Sequence, residues 1–193
     1  IMKILSHATN TIAKGEVLQL MCVDQVETNI DQYLRVIEYK TATLFEALCE
    51  CTAVLAGCDD NVRKNLAMYG RNIGLAFQIS DDVLDYTAES NEQIGKNIGD
   101  DLSGGKITLP FIYAFQNCTE IQREILKDII QNRKVKDFII LRDIIIETNS
   151  IKFTQDKAKE FVSAAKENLK VVENSEIGSL LNFLAEFSIN RKK

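Results

Sequence analysis

Proline and histidine are nearly absent from this 193-residue chain, and each shortage narrows what it can be. Pro110 is the sole proline, and most of the nine glycines fall between Gly57 and Gly105, so long stretches on either side hold no strong helix breaker. That distribution favours an all-α architecture. With His7 as the single histidine, a histidine-based triad or a multi-histidine metal site is excluded, and acid residues must carry any metal. No apolar run approaches the ~20 residues of a membrane-spanning helix and no charged-then-apolar leader opens the chain, so a soluble protein is expected. Lysine and arginine never gather into a track for nucleic acid, and a net charge of −5 means that an anionic ligand needs local cations. The cysteines number five, an odd count without C-x-x-C spacing, and read as free buried thiols in a reducing compartment, cytoplasm or organelle matrix.

What is present is helical periodicity. Apolar residues recur at three- and four-residue steps through residues 4–22, 33–55, 62–86 and 109–115. From Glu120 the composition shifts to Lys, Glu, Ile and Asn, and residues 121–132, 135–148, 154–172 and 177–190 read as a rim of shorter, more solvated helices. The irregular stretch is 87–106, rich in Gly, Asp, Asn and Ser, and loops this long are often functional. No flexible linker appears, so residues 1–193 are read as one unit. Residues 1–20 already have helical character behind a non-methionine start at Ile1, so the chain is expected to continue from residues further upstream.

The densest chemical signal is Gly74-Leu-Ala-Phe-Gln78-Ile-Ser-Asp81-Asp82-Val-Leu-Asp85. At 3.6 residues per turn Gln78, Asp81, Asp82 and Asp85 share one face, while Ile73, Ala76, Phe77, Val83 and Leu84 form the apolar back. Like charges at this spacing cost roughly 0.2–0.5 kcal/mol per pair unless a cation sits between them. Mg2+ is the natural cation, since it takes hard oxygen ligands, keeps water and bridges carboxylates to phosphates. The competing reading is a solvated acidic face.

Lysines complement this patch. Lys40 falls within an apolar stripe formed by Tyr33, Val36, Ile37, Leu44, Ala47, Leu48 and Cys51. It must either meet an anion such as a diphosphate oxygen, with Thr41 adding a hydrogen bond, or extend its head group to the helix edge. Lys96 and Lys106 lie among glycines that let backbone approach a ligand closely. Gly104-Gly-Lys-Ile-Thr108 has the look of a P-loop tail, but no strand precedes it and Pro110 follows, so a lysine-bearing lid fits better, with an ordinary solvated loop as the alternative.

Taken in order, Lys40-Thr41, the Gly74 to Asp85 stretch, and Gly95-Lys-x-x-Gly-x-Asp-Leu-x-x-Gly-Lys-x-Thr-Leu-Pro110 resemble the downstream signature of trans-isoprenyl diphosphate synthases, the polyprenyl synthetase family. Gly15-Glu16 with Gln19, and Leu184 to Arg191, resemble further helices of that family. The resemblance implies an antiparallel helical bundle of the isoprenoid synthase type around a central cavity. It also implies Mg2+-dependent condensation of isopentenyl diphosphate with an allylic diphosphate. By the same resemblance, Lys40, Asp81, Lys96 and Lys106 take catalytic roles, and Lys40, Thr41, Gln78, Lys96 and Lys106 contact substrate. Asp81 would ligate metal directly, Asp82 and Asp85 mainly through water. A homodimer is implied, with peripheral membrane contact for product release and no nucleic-acid partner.

The family's first D-D-x-x-D motif would precede Ile1. Residues 1–193 are therefore expected to be the C-terminal part of a single isoprenoid synthase domain, its first helices missing, and inactive alone. The stretch from Asp85 to Leu102 looks closest to the octaprenyl and solanesyl type, which make long quinone side chains. A geranylgeranyl-type synthase, a non-catalytic subunit of a heteromeric synthase and a terpene cyclase on the same fold are the alternatives.

Overall fold

The computed structural model describes residues 1–87, 100–172 and 175–190, and all regular structure among them is helical. Helix α1 spans Met2–Cys22, α2 Ile30–Ile37, α3 Thr43–Leu55 and α4 Asp60–Thr87. A short α5, Asp100–Ser103, leads to α6 at Leu109–Asn117, α7 at Glu120–Gln131, α8 at Phe138–Glu147, α9 at Ser150–Asn168 and α10 at Glu176–Asn190. None of the described helices is long and apolar enough to cross a membrane.

Local chemistry explains the helix starts. Asn29 and Gln32 cap α2 reciprocally, each side chain bonding the other's backbone N–H at 2.9 Å, and Thr119 with Gln122 repeats the device on α7. Pro110 sits in the first turn of α6, where its missing N–H costs nothing.

Helix α4 runs through the centre, with α3 along one flank and α9 along the other. The larger core gathers Ile79, Leu109, Phe111, Ile112, Leu126 and Leu141. A second joins Tyr69, Ile73 and Ala76 of α4 to Val162, Ala165 and Leu169. Burying each large aliphatic side chain here contributes about 1.5–3 kcal/mol.

Three expectations need correction. The segment after Glu120 is no rim: Leu126, Ile130, Leu141, Ile145 and Ala165 are fully buried and α9 lies along α4, because small and branched side chains line one face of an otherwise polar helix. The irregular stretch 87–106 contains the helical turn Asp100–Ser103, and Lys96, within 88–99, lies outside the described residues. The five thiols are free, as expected, but each is half-buried rather than buried.

The fourth departure concerns the long helix predicted over 33–55. It is interrupted at Glu38–Ala42 by a π-helical turn, which holds Lys40 and Thr41. One extra residue in the turn rotates α3 about its axis, so Leu44 and Leu48 of the supposed apolar stripe emerge 59% and 66% exposed. Two glycines accommodate the turn. A Cβ on Gly15 of α1 would lie 2.6 Å from the Lys40 nitrogen, and one on Gly74 of α4 would lie 2.6 Å from the Ala42 Cα, so both helices press on the turn's backbone where a side chain would not fit.

Candidate active site

The π turn, the middle of α4 and the segment after α5 converge on a pocket of about 230 Å³. Its wall brings together Lys40, Thr41, Gln78, Asp81, Asp82 and Lys106, drawn from three separate stretches of sequence. Asp85 is buried one turn further along α4, beside this wall. The solvated-face reading of the acid helix is thereby excluded, since Asp82 and Asp85 are 6% and 5% exposed.

One hydrogen-bond chain crosses the pocket floor. Thr41 donates to Gln78 Oε1 at 3.0 Å, Gln78 Nε2 donates to Asp82 Oδ1 at 2.9 Å, and the Tyr33 hydroxyl donates to Asp82 Oδ2 at 2.6 Å. Gln78 therefore spends both polar ends on protein groups, and its observed part is to hold Asp82. Across the pocket, Lys40 Nζ donates to Gln19 Oε1 at 2.6 Å and to Glu16 Oε2 at 3.1 Å. It is one-third exposed, so it sits at the pocket edge with partners rather than stranded in an apolar stripe. Lys106 Nζ meets Asp101 Oδ1 at 2.7 Å.

Electrostatics records the crowding of acids. Burial pushes the Asp82 carboxyl up to about 7, with Asp101 and Asp81 adding to the rise and the bonds from Tyr33 and Gln78 opposing it. Tyr33 is raised well above the usual phenol value, first by burial and then by Asp82, so it stays protonated and donating. Burial pulls the Lys106 ammonium down, but its bond to Asp101 and the charges of Asp101, Asp85 and Asp82 outweigh this and hold it above the usual lysine value.

The donor set is carboxylate oxygen, suited to a hard divalent ion. Among the described residues no three acid, cysteine or histidine side chains are gathered to enclose an ion. These residues fit an ion that keeps water and shares ligands with a bound phosphate, as Mg2+ does. Asp82 has both oxygens engaged, by Tyr33 and by Gln78, while Asp81 lies on the pocket wall.

Sequence reasoning missed Tyr33 and Asp101. Tyr33 was hidden because a tyrosine inside an apolar run looks like core, and only its distant partner reveals the hydroxyl's use. Asp101 was visible inside Gly-x-Asp-Leu, where its spacing of five residues from Lys106 was the available signal.

An all-helical bundle with acids and lysines sharing one pocket narrows the class, and sequence comparison specifies it. Residues 1–144 match the family described as Polyprenyl synthetase, and the chain belongs to that family. It is 38% identical over 196 residues to the octaprenyl diphosphate synthase of Escherichia coli, covering 100% of this chain and 60% of the relative. It is 39% identical over 194 residues to the octaprenyl diphosphate synthase of Haemophilus influenzae, covering 99% of this chain and 58% of the relative. The chain thus spans about 60% of the length of these curated relatives. Among solved structures, a polyprenyl synthase from Caulobacter crescentus complexed with calcium and isoprenyl diphosphate superposes with a TM-score of 0.94 at 38% identity, covering 100% of this chain and 59% of that one.

Proposed function

We propose that this chain forms the leaving-group side of a trans-polyprenyl diphosphate synthase, which condenses isopentenyl diphosphate with an allylic diphosphate to give a long-chain product. The observation that carries the reading is the common pocket wall of Asp81, Lys40 and Lys106, residues far apart in sequence. The octaprenyl synthases among its relatives support the long chain.

Ionisation of the allylic carbon–oxygen bond leaves negative charge on the departing diphosphate. Lys40 and Lys106 hold ammonium groups at the pocket wall and stabilise that charge as it develops. Bound Mg2+ would supply Lewis-acid neutralisation of the diphosphate oxygens, held by Asp81 directly and by Asp82 and Asp85 mainly through water. Tyr33 and Gln78 orient Asp82, and Thr41 anchors Gln78. The apolar packing of α2 and α4 around the site excludes water that would quench an allylic cation.

The same reading includes a homodimer, two diphosphate substrates, and release of a greasy product at a membrane surface. The test is a prenyl-transfer assay with labelled isopentenyl diphosphate and an allylic primer, run on the whole enzyme. Incorporation into products of eight or more isoprene units supports the reading. A cyclic product without label would replace it with a cyclase.

A further inference from the structure

Three residues with left-handed backbones, each from a different connection, meet beside the pocket. Asp24 (φ +59°) lies in the turn after α1, Gly105 (φ +62°) precedes Lys106, and Arg133 (φ +47°) follows α7. The Asp24 backbone N–H donates to the Gly105 carbonyl at 2.9 Å. The Asp24 carboxylate accepts from Arg133 Nε at 3.3 Å and from its Nη2 at 2.7 Å. A Cβ on Gly105 would lie 2.0 Å from the Asp24 Oδ1, so the carboxylate is seated directly on the loop backbone.

The choice of Arg133 is informative. Just past a helix C-terminus the left-handed position ordinarily falls to glycine, and a long side chain there is strained. Nothing in the ending of α7 asks for arginine, but a guanidinium reaching back to Asp24 does. Asp24 tolerates its own left-handed backbone better than most residues. Neither residue is on the pocket wall, whereas Val23, before Asp24, and Lys106, after Gly105, are.

We propose that Asp24 and Arg133 are positioning residues, a clamp that fixes the chain from Gly105 to Thr108 and thereby sets where Lys106 presents its ammonium. That chain is held by several bonds, the Gly105 N–H to the Leu102 carbonyl at 3.0 Å among them. Asp24 grips the Gly105 carbonyl, the Lys106 N–H donates to the Asp101 carbonyl at 2.9 Å, and the Thr108 hydroxyl lies 3.1 Å from the Tyr86 hydroxyl. The last two anchors belong to the pocket side. The clamp supplies the outer one, and it ties the pocket to the turn after α7, 109 residues away along the chain from Asp24.

The diphosphate role of Lys106 rests on the function proposed above; the clamp itself does not. The test compares the whole enzyme with its Arg133→Gly, Asp24→Asn, double and Arg133→Lys variants. It measures hydrogen exchange at the Asp24, Gly105 and Lys106 amides, and calorimetric binding of inorganic pyrophosphate with Mg2+. Arg133→Gly relieves the strained backbone, so the melting temperature is expected not to fall, while exchange quickens and pyrophosphate binds about fivefold more weakly, the scale of a well-formed ion pair. The double variant should match Arg133→Gly, and Arg133→Lys should recover part of the loss. Unchanged exchange in Arg133→Gly overturns the clamp. Faster exchange with unchanged pyrophosphate affinity overturns its positioning of Lys106. Absence of pyrophosphate binding by the unsubstituted whole enzyme overturns the diphosphate reading instead, leaving the clamp to be judged on exchange.

Discussion

Between Tyr69 and Ala76, α4 packs Ile73 and Ala76 in an apolar cluster, with only neutral hydrogen bonds from Tyr69 and Asn72 and an edge ion pair from Arg71 beside it, whereas between Gln78 and Asp85 the same helix buries two carboxylates, one of them gripped by a phenol and an amide. The first half tolerates small shifts, because dispersion and burial depend weakly on angle. The second does not, since a buried carboxylate needs donors at set distances and loses them steeply with misalignment. A helix can thus act as a structural beam at one end and as a charged instrument at the other. The same twenty-eight-residue element carries both parts.

Substitutions at the two ends should separate stability from activity. The largest effect is expected at Ile73→Ala in the apolar half, costing about 2–5 kcal/mol in denaturant unfolding, with turnover of the surviving folded enzyme unchanged. A matching loss of turnover per folded molecule would show that the halves are not independent. Asp81→Ala should do the converse, lowering prenyl-transfer turnover roughly 10²-fold or more while the unfolding midpoint holds. Wild-type turnover at saturating Mg2+ would remove Asp81 from the site. Lys40→Ala comes next, with about a tenfold rise in the allylic Michaelis constant or fall in turnover, the scale of one charge-assisted bond. If neither parameter moves, its bonds to Gln19 and Glu16 are its whole role. Smallest is Tyr33→Phe, which keeps the ring and removes one donor to Asp82; the Mg2+ concentration for half-maximal rate should rise about threefold to tenfold. A change in stability without a change in Mg2+ response would make Tyr33 a core residue only.

Most helices were legible because a buried face repeats every three or four residues regardless of what it packs against. The interruption at Glu38–Ala42 was not, since a single inserted residue leaves the local apolar spacing almost intact while turning the next helix by a fraction of a turn. Leu44 and Leu48 were misplaced for that reason. Helix α9 was misjudged because its polar composition conceals the buried line Thr154, Ala158, Val162 and Ala165. At the site, the acids and lysines announced themselves by charge out of keeping with their surroundings. Tyr33 and the Asp24 to Arg133 pair carry no such mark, because their meaning lies entirely in which distant partner they reach.

The wide turn at Glu38–Ala42 has an engineering consequence. Removing one residue there would let the backbone relax into continuous α-helix and shift where Thr41 stands beside α4. The meeting of threonine with glutamine would be disturbed although both side chains remain. The alignment of this pocket wall is therefore encoded in chain length at one position, a setting that a scan of point substitutions would leave undetected and a single-codon deletion would expose.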